Sequence, residues 1–169
     1  MNTNPASRRA RPYGRPEIPW WRAALDAAEV PYTVHEHAPA LSIAERQALP
    51  FPWAQAVKTL ACTTTGTPLV LVALRASDRL DFARLASALD TTRSRLRPAD
   101  ADLLRAEGLN PGGIAPISHR PGVPCLIDTA VTACEQPVFC GAGSAERTLE
   151  IPAAILARLP RARVVLLRR

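Results

Sequence analysis

Between Pro111 and Asp128 the chain reads PGGIAPISHRPGVPCLID, the segment best suited to chemistry. A double glycine, Gly112 and Gly113, stands three residues before Pro116. Without a Cβ, glycine lets backbone N–H groups come close to a ligand and tolerates positive φ, so such a loop can cradle an anion or an oxyanion. The VPCLID alternation that follows predicts a short, mostly buried strand ending in the Asp128 carboxylate, which would hold the loop between rigid elements. An irregular connection rich in glycine and proline is the plainer alternative.

Two other groups carry reactive side chains. His35 and His37 form an H-x-H pair on one face of a strand, the placement expected of two metal ligands. A third ligand is missing nearby and His119 is the remaining histidine, so no metal is expected. His35 then reads either as a pocket wall or as an ordinary strand histidine. Cys62, Cys125, Cys134 and Cys140 lack C-x-x-C spacing and sit mostly in apolar strands, where cysteine behaves as a small hydrophobe. No base or helix N-terminus beside Cys62 or Cys140 would lower a thiol pKa, so neither is a candidate nucleophile.

The elements that must position these groups fit one domain. With 169 residues, 47% of them apolar, the chain can bury a real core. No run approaches the roughly 18 apolar residues of a membrane span, and no apolar stretch follows Arg8 and Arg9, so a cytoplasmic protein without membrane contact is expected. The net charge of +6 comes from arginines near both ends: Arg8, Arg9, Arg11 and Arg15, then Arg158, Arg161, Arg163, Arg168 and Arg169. Arginine forks match phosphate, which suits a polyanion such as RNA, although a GC-rich genome also yields this composition.

Residues 1–18 are too polar to repay their ordering entropy and read as a flexible basic tail, with residues 19–169 as a single domain. WWRAALDAAEV places Trp21, Leu25 and Ala28 on one helix face, and PYTVHEH alternates like a strand. Ser42 with Glu45 predicts a capping box at the start of SIAERQAL. AVKTLACTTTGTPLVLVALRA predicts a hairpin turning at Gly66-Thr67-Pro68. A helix follows over Asp81–Leu89, and another opens with Pro98 as its first residue and ends at Gly108. Strands near 123–128 and 137–142, a strand over 147–151, a helix over 152–158 and a strand over 163–167 complete the chain. Helices interspersed with strands and a hairpin predict an α+β (mixed α/β) class, with a mixed sheet and peripheral helices.

Three pieces in order resemble the YbaK/prolyl-tRNA-synthetase-associated family: Lys58-Thr59-Leu60 entering the hairpin, Gly112 to Pro116, and Leu126 to Asp128. LDAAEVPYTVHEHAP, LDFARLASAL, LRPADADLLRAEGLNPGG and AGSAERTLEIPAAIL extend the resemblance over roughly residues 21 to 167. It implies a curved mixed sheet, partly barrel-like, with surrounding helices and a cleft between the lysine and the GxxxP loop. It also implies no cofactor and no metal. The implied activity is hydrolysis of mischarged aminoacyl-tRNA in trans, with mischarged tRNA as partner and an aminoacyl-tRNA synthetase as a second one. The oligomeric state is not legible.

Residue by residue, the resemblance makes Lys58 the family lysine, a point charge for a terminal phosphate or the substrate carbonyl. Gly112, Gly113 and Ile114 become the N–H donors to an oxyanion, with Pro116 closing the motif. His35 falls at a substrate-facing position, and Ser42 where relatives often carry threonine, with helix capping as its alternative. Thr59, Gly141 and Gly143 line the substrate side. Asp128 orients the loop or a water, or else caps a turn. Gly141 and Thr148 stand where cysteine-specific relatives carry serine and aspartate, and Thr59 where alanine-specific ones carry asparagine, so neither subgroup is matched. Trp53 is the candidate to stack on the terminal adenine. A non-catalytic RNA- or protein-binding module that keeps the fold is the alternative function.

Overall fold

The computed structural model describes residues 20–169; the predicted basic tail, with Arg8, Arg9, Arg11 and Arg15, lies outside the described residues. Helix α1 (Trp20–Ala27) buries Trp21 and Leu25, one turn apart, as its pattern requires. Ala28 falls in the turn beyond the helix and is exposed. Strand β1 (Thr33–Glu36) leads to α2 (Ile43–Gln47), which has no buried residue and is held by its capping box. A 3-10 turn (Trp53–Gln55) then feeds the hairpin of β2 (Val57–Thr63) and β3 (Val70–Arg75), paired from Val57–Arg75 to Cys62–Val70. The predicted turn is closed by hydrogen bonds exchanged between Thr64 and Thr67.

Asp81 caps α3 (Phe82–Ala88) by accepting from the N–H groups of Ala83 and Arg84. The next helix differs from expectation. Pro98 is not its first residue but belongs to β4 (Arg97–Pro98), which pairs with the end of β2, and Asp100 caps α4 (Ala101–Ala106). A proline on an edge strand loses no ladder bond it could have made, so Pro98 serves equally well there. The rest comprises β5 (Cys125–Asp128), α5 (Thr129–Thr132), β6 (Pro137–Gly141), β7 (Arg147–Pro152), α6 (Ala153–Leu156) and β8 (Ala162–Val165).

The mixed α+β class holds, with the strands divided between two sheets. One is antiparallel, in the order β1-β7-β6, and the other is mixed, in the order β4-β2-β3-β5-β8. Period-2 alternation in the central strands builds a core on each face of the larger sheet. Leu71, Ala73, Cys125 and Ile127 face the smaller sheet, meeting Val138, Cys140, Leu149 and Ile151. Val70, Val72, Leu74 and Leu126 face the other way, against Leu85 of α3, Leu96 and Leu167. The sheets meet where β2 approaches β6, through a parallel bridge between Ala56 and Phe139.

Candidate active site

A cavity of about 340 Å³ opens at this meeting of the sheets. Residues 57 to 60 of β2 form one wall and Phe139, Cys140 and Gly141 of β6 another. Gly112 and Ile114 close one side, and Ile43 and Arg46 of α2 cover it. The predicted Lys58, Thr59, Gly112, Ile114 and Gly141 are thus brought together, with Trp53 and Thr148 on the same wall.

The glycine loop is fixed by backbone contact with the β6–β7 connection. Gly143 N–H donates to the Gly113 carbonyl at 2.7 Å, and the Asn110 side-chain amide donates to the Gly143 carbonyl at 2.6 Å. Gly112 and Gly143 have φ of 78° and 90°, the left-handed region that favours glycine. Closeness imposes a second requirement. A Cβ on Gly141 would strike the Ile114 carbonyl and lie 2.7 Å from the Gly113 carbonyl group, and one on Gly113 would lie 2.8 Å from the Ser144 backbone.

The loop donors are fewer than the sequence suggests. Gly113 N–H closes a turn by donating to the Asn110 carbonyl at 3.0 Å, because the loop must reverse direction there. Among the described residues the N–H groups of Gly112 and Ile114 have no protein acceptor. Arg46 of α2, which carries no local sequence signal, donates from its guanidinium to the Gly112 carbonyl. Only a contact between residues 66 apart in sequence reveals this role.

Lys58 reaches the same cavity. Its ammonium donates to the carbonyls of Ala76, at 3.1 Å, and Asp78, so the turn after β3 holds it in place. Burial pulls its pKa below the ordinary lysine value, with the Asp78 carboxylate pushing the other way and Arg79 adding to the depression. Burial lowers that of Arg46 as well. Among the described residues the wall therefore carries two cations and no carboxylate or imidazole. Cys140 borders it, but burial raises the thiol pKa and its S–H is directed to the Leu149 carbonyl at 3.6 Å, leaving no thiolate for attack.

Other expected site residues lie off the wall. His35 stands behind it, against Phe51 (ring centroids 4.9 Å apart), and is paired with Glu150 at 2.6 Å. His37 bonds Thr148 at 2.8 Å, and among the described residues no three His, Cys, Asp or Glu side chains converge as metal ligands would. Phe51 and Phe139 stack 4.8 Å apart, a cavity-lining pair without any sequence signal. The Ser42 hydroxyl is occupied by its cap with Glu45. Pro116 is buried and Gly143 acts through its backbone.

Asp128 is fully buried and faces the C-terminal segment, not the cavity. It accepts from Ala130 N–H at 2.8 Å, Leu167 N–H at 2.7 Å, Arg168 N–H at 2.9 Å and the Arg168 guanidinium at 2.6 Å. Burial opposes ionisation, yet these bonds hold its pKa below the usual aspartate value. Its place as the last residue of β5 reflects anchoring. Two arginines expected to face RNA are likewise structural: Arg168 here, and Arg161, whose Nε donates to Ser118 Oγ at 2.7 Å.

Fold and site together define an α+β domain with a cationic, carboxylate-free cavity between two sheets and a glycine loop at its mouth. The model of the aminoacyl-tRNA editing domain matches residues 35–159, and the chain belongs to that family. Membership brings the family's kind of activity, deacylation of aminoacyl-tRNA, and its kind of partner, tRNA or a synthetase. No curated protein sequence matches this one.

Solved structures share the fold. The hypothetical protein APE2540 superposes with a TM-score of 0.78 at 20% identity, over 89% of this chain and 99% of that one. A candidate trans-editing enzyme for prolyl tRNA synthetase gives 0.74 at 22% identity, over 92% of this chain and 98% of its own. Among the described residues no helix is long and apolar enough to cross a membrane.

Proposed function

We propose that this protein is a trans-editing aminoacyl-tRNA deacylase that hydrolyses the ester of a small amino acid wrongly attached to tRNA, with tRNA(Pro) or a related tRNA as carrier. Residues 19–169 form the editing domain, which works in the cytoplasm. One observation carries the reading: among the described residues, a cavity with two cations and no carboxylate is bordered by two loop N–H groups without a protein acceptor. A cavity of that charge suits a substrate that arrives as a polyanion and develops further negative charge as it reacts. The likeness in fold to the candidate trans-editing enzyme, nearly all of whose length is covered, supports action in trans.

In this reading water attacks the ester carbonyl and negative charge grows on the carbonyl oxygen. Gly112 and Ile114 N–H groups receive that charge, each contributing about 3–4 kcal/mol if the donors resemble those removed from other enzymes. Lys58, held by two carbonyls, fixes the terminal phosphate or the ester carbonyl, and Arg46 holds the loop by its Gly112 carbonyl. The wall offers no general base, so proton transfer falls to water and the substrate's own ribose hydroxyl. Trp53 offers its ring to the terminal adenine.

The test is deacylation of tRNAs charged with Ala, Ser, Thr, Cys and small non-protein amino acids, by the wild type and Lys58→Ala. The expected outcome is turnover of one or two members that falls by roughly 10²–10³ in the variant while tRNA affinity falls modestly. No turnover of any member, with salt-sensitive tRNA binding intact, would replace this reading with the binding module.

A further inference from the structure

Thr59 lies on β2 between Val57 and Ala61, so period-2 alternation turns the three toward the core between the sheets, where Val57 and Ala61 pack. Thr59 lines the cavity, and its Oγ1, occluded from solvent in that wall, has no hydrogen-bond partner among the described residues. Polar groups on the same wall are committed elsewhere: the Cys140 thiol to the Leu149 carbonyl, Thr148 Oγ1 to His37, and Lys58 to two carbonyls. Buried hydroxyls in folded proteins are nearly always paired. Among the described residues the other buried hydroxyls follow that rule, although the ring nitrogens Trp21 Nε1 and His119 Nδ1 are also without partners. Thr64 bonds Thr91 at 3.1 Å, and Ser118 bonds the Val123 carbonyl at 2.6 Å and Arg161 at 2.7 Å.

An orphan hydroxyl destabilises a fold unless something pairs with it, and valine would fill nearly the same volume without that penalty. Thr59 also stands in a largely apolar wall, with Val57, Ile114 and Phe139 around the cavity. An apolar wall separates small side chains weakly, whereas a hydroxyl that must be paired distinguishes a substrate that can bond it from one that cannot.

Resting on the reading that the cavity takes the aminoacyl end of tRNA, we infer that Thr59 reads the amino acid. The preferred substrate carries a hydrogen-bonding group on a small side chain, in the order serine, cysteine, alanine. Serine pairs with Oγ1 as donor or acceptor, the cysteine thiol does so weakly, and alanine leaves Oγ1 unpaired. Thr59 thus sets specificity and leaves the chemistry to the loop and Lys58.

The experiment measures kcat/KM for seryl-, cysteinyl- and alanyl-esters of one tRNA with the wild type, Thr59→Val and Thr59→Ser. The expected wild-type preference for seryl over alanyl is about tenfold or more, the lower range for a single side-chain difference. Thr59→Val collapses that ratio by lowering seryl hydrolysis more than alanyl hydrolysis, and Thr59→Ser keeps it. Thr59→Val also melts at a higher temperature than the wild type, since the orphan hydroxyl is gone.

An unchanged seryl/alanyl ratio in Thr59→Val overturns the inference. So does an equal loss on all three esters, which would assign the hydroxyl to the ribose or adenine they share. If the wild type hydrolyses none of the three or the wider panel, the deacylase reading itself fails, a different result from turnover without discrimination.

Discussion

Asp128 and Thr59 lie in the same five-stranded sheet, and their surroundings treat buried polar atoms in opposite ways. Around Asp128 every contact is complementary: three backbone N–H groups and a guanidinium converge on one carboxylate. Around the cavity that Thr59 lines, hydrogen-bonding capacity is left open, with a hydroxyl and two N–H groups that have no protein partner among the described residues. A satisfied carboxylate has no capacity left for a substrate, so the sequence's most conspicuous acid is a fastener. An unsatisfied hydroxyl in a cavity wall is the better pointer to a ligand.

The sharpest test of the fastener is Asp128→Ala. It strands the Arg168 guanidinium and the backbone donors, and the expected loss is about 3–5 kcal/mol in denaturant melts. A loss under about 1 kcal/mol would remove one side of the comparison. Next in size is Gly141→Ala, whose Cβ would run into the Ile114 carbonyl. It should cost about 1–3 kcal/mol in the same melts. Gly66→Ala, with nothing within 4 Å of the new Cβ, should stay within about 0.5 kcal/mol.

The smallest effect concerns Glu107 at the end of α4, which bonds His119 and Arg120. Its Arg120 partner, helped by His119, lowers its pKa from 4.5 to about 2 in the fold. A depressed folded-state pKa adds stability that is complete above about 4.5 and lost as the pH falls toward 2. Glu107→Gln should therefore flatten the fall in Tm across that window. An unchanged acid limb would show that other carboxylates carry it.

Local chemistry made much of this legible. The Ser42–Glu45 box, the Gly66 turn and the Asp81–Leu89 helix follow from residues a few positions apart, and each appears where its pattern put it. Pro98 shows the limit of such reasoning, since a proline suits both a helix start and an edge strand, and only pairing with Cys62 decides. The division into two sheets, the Phe51–Phe139 stack and the hold of Arg46 on Gly112 join distant segments. Of the candidate site residues, those beside the glycine loop and at the start of β2 reach the cavity. Ser42 and Asp128 do not, because capping and anchoring chemistry resembles site chemistry when only the residue type is visible.

The bridge between Ala56 and Phe139 makes the cavity a joint between two slabs rather than a hollow inside one. Its width depends on how the slabs lean together, and so on residues that never touch a substrate. Bulkier or smaller packing at Val138 or Ile151, in the core between the sheets, would tune which side chains are admitted while leaving Lys58, Thr59 and the glycine loop as they are.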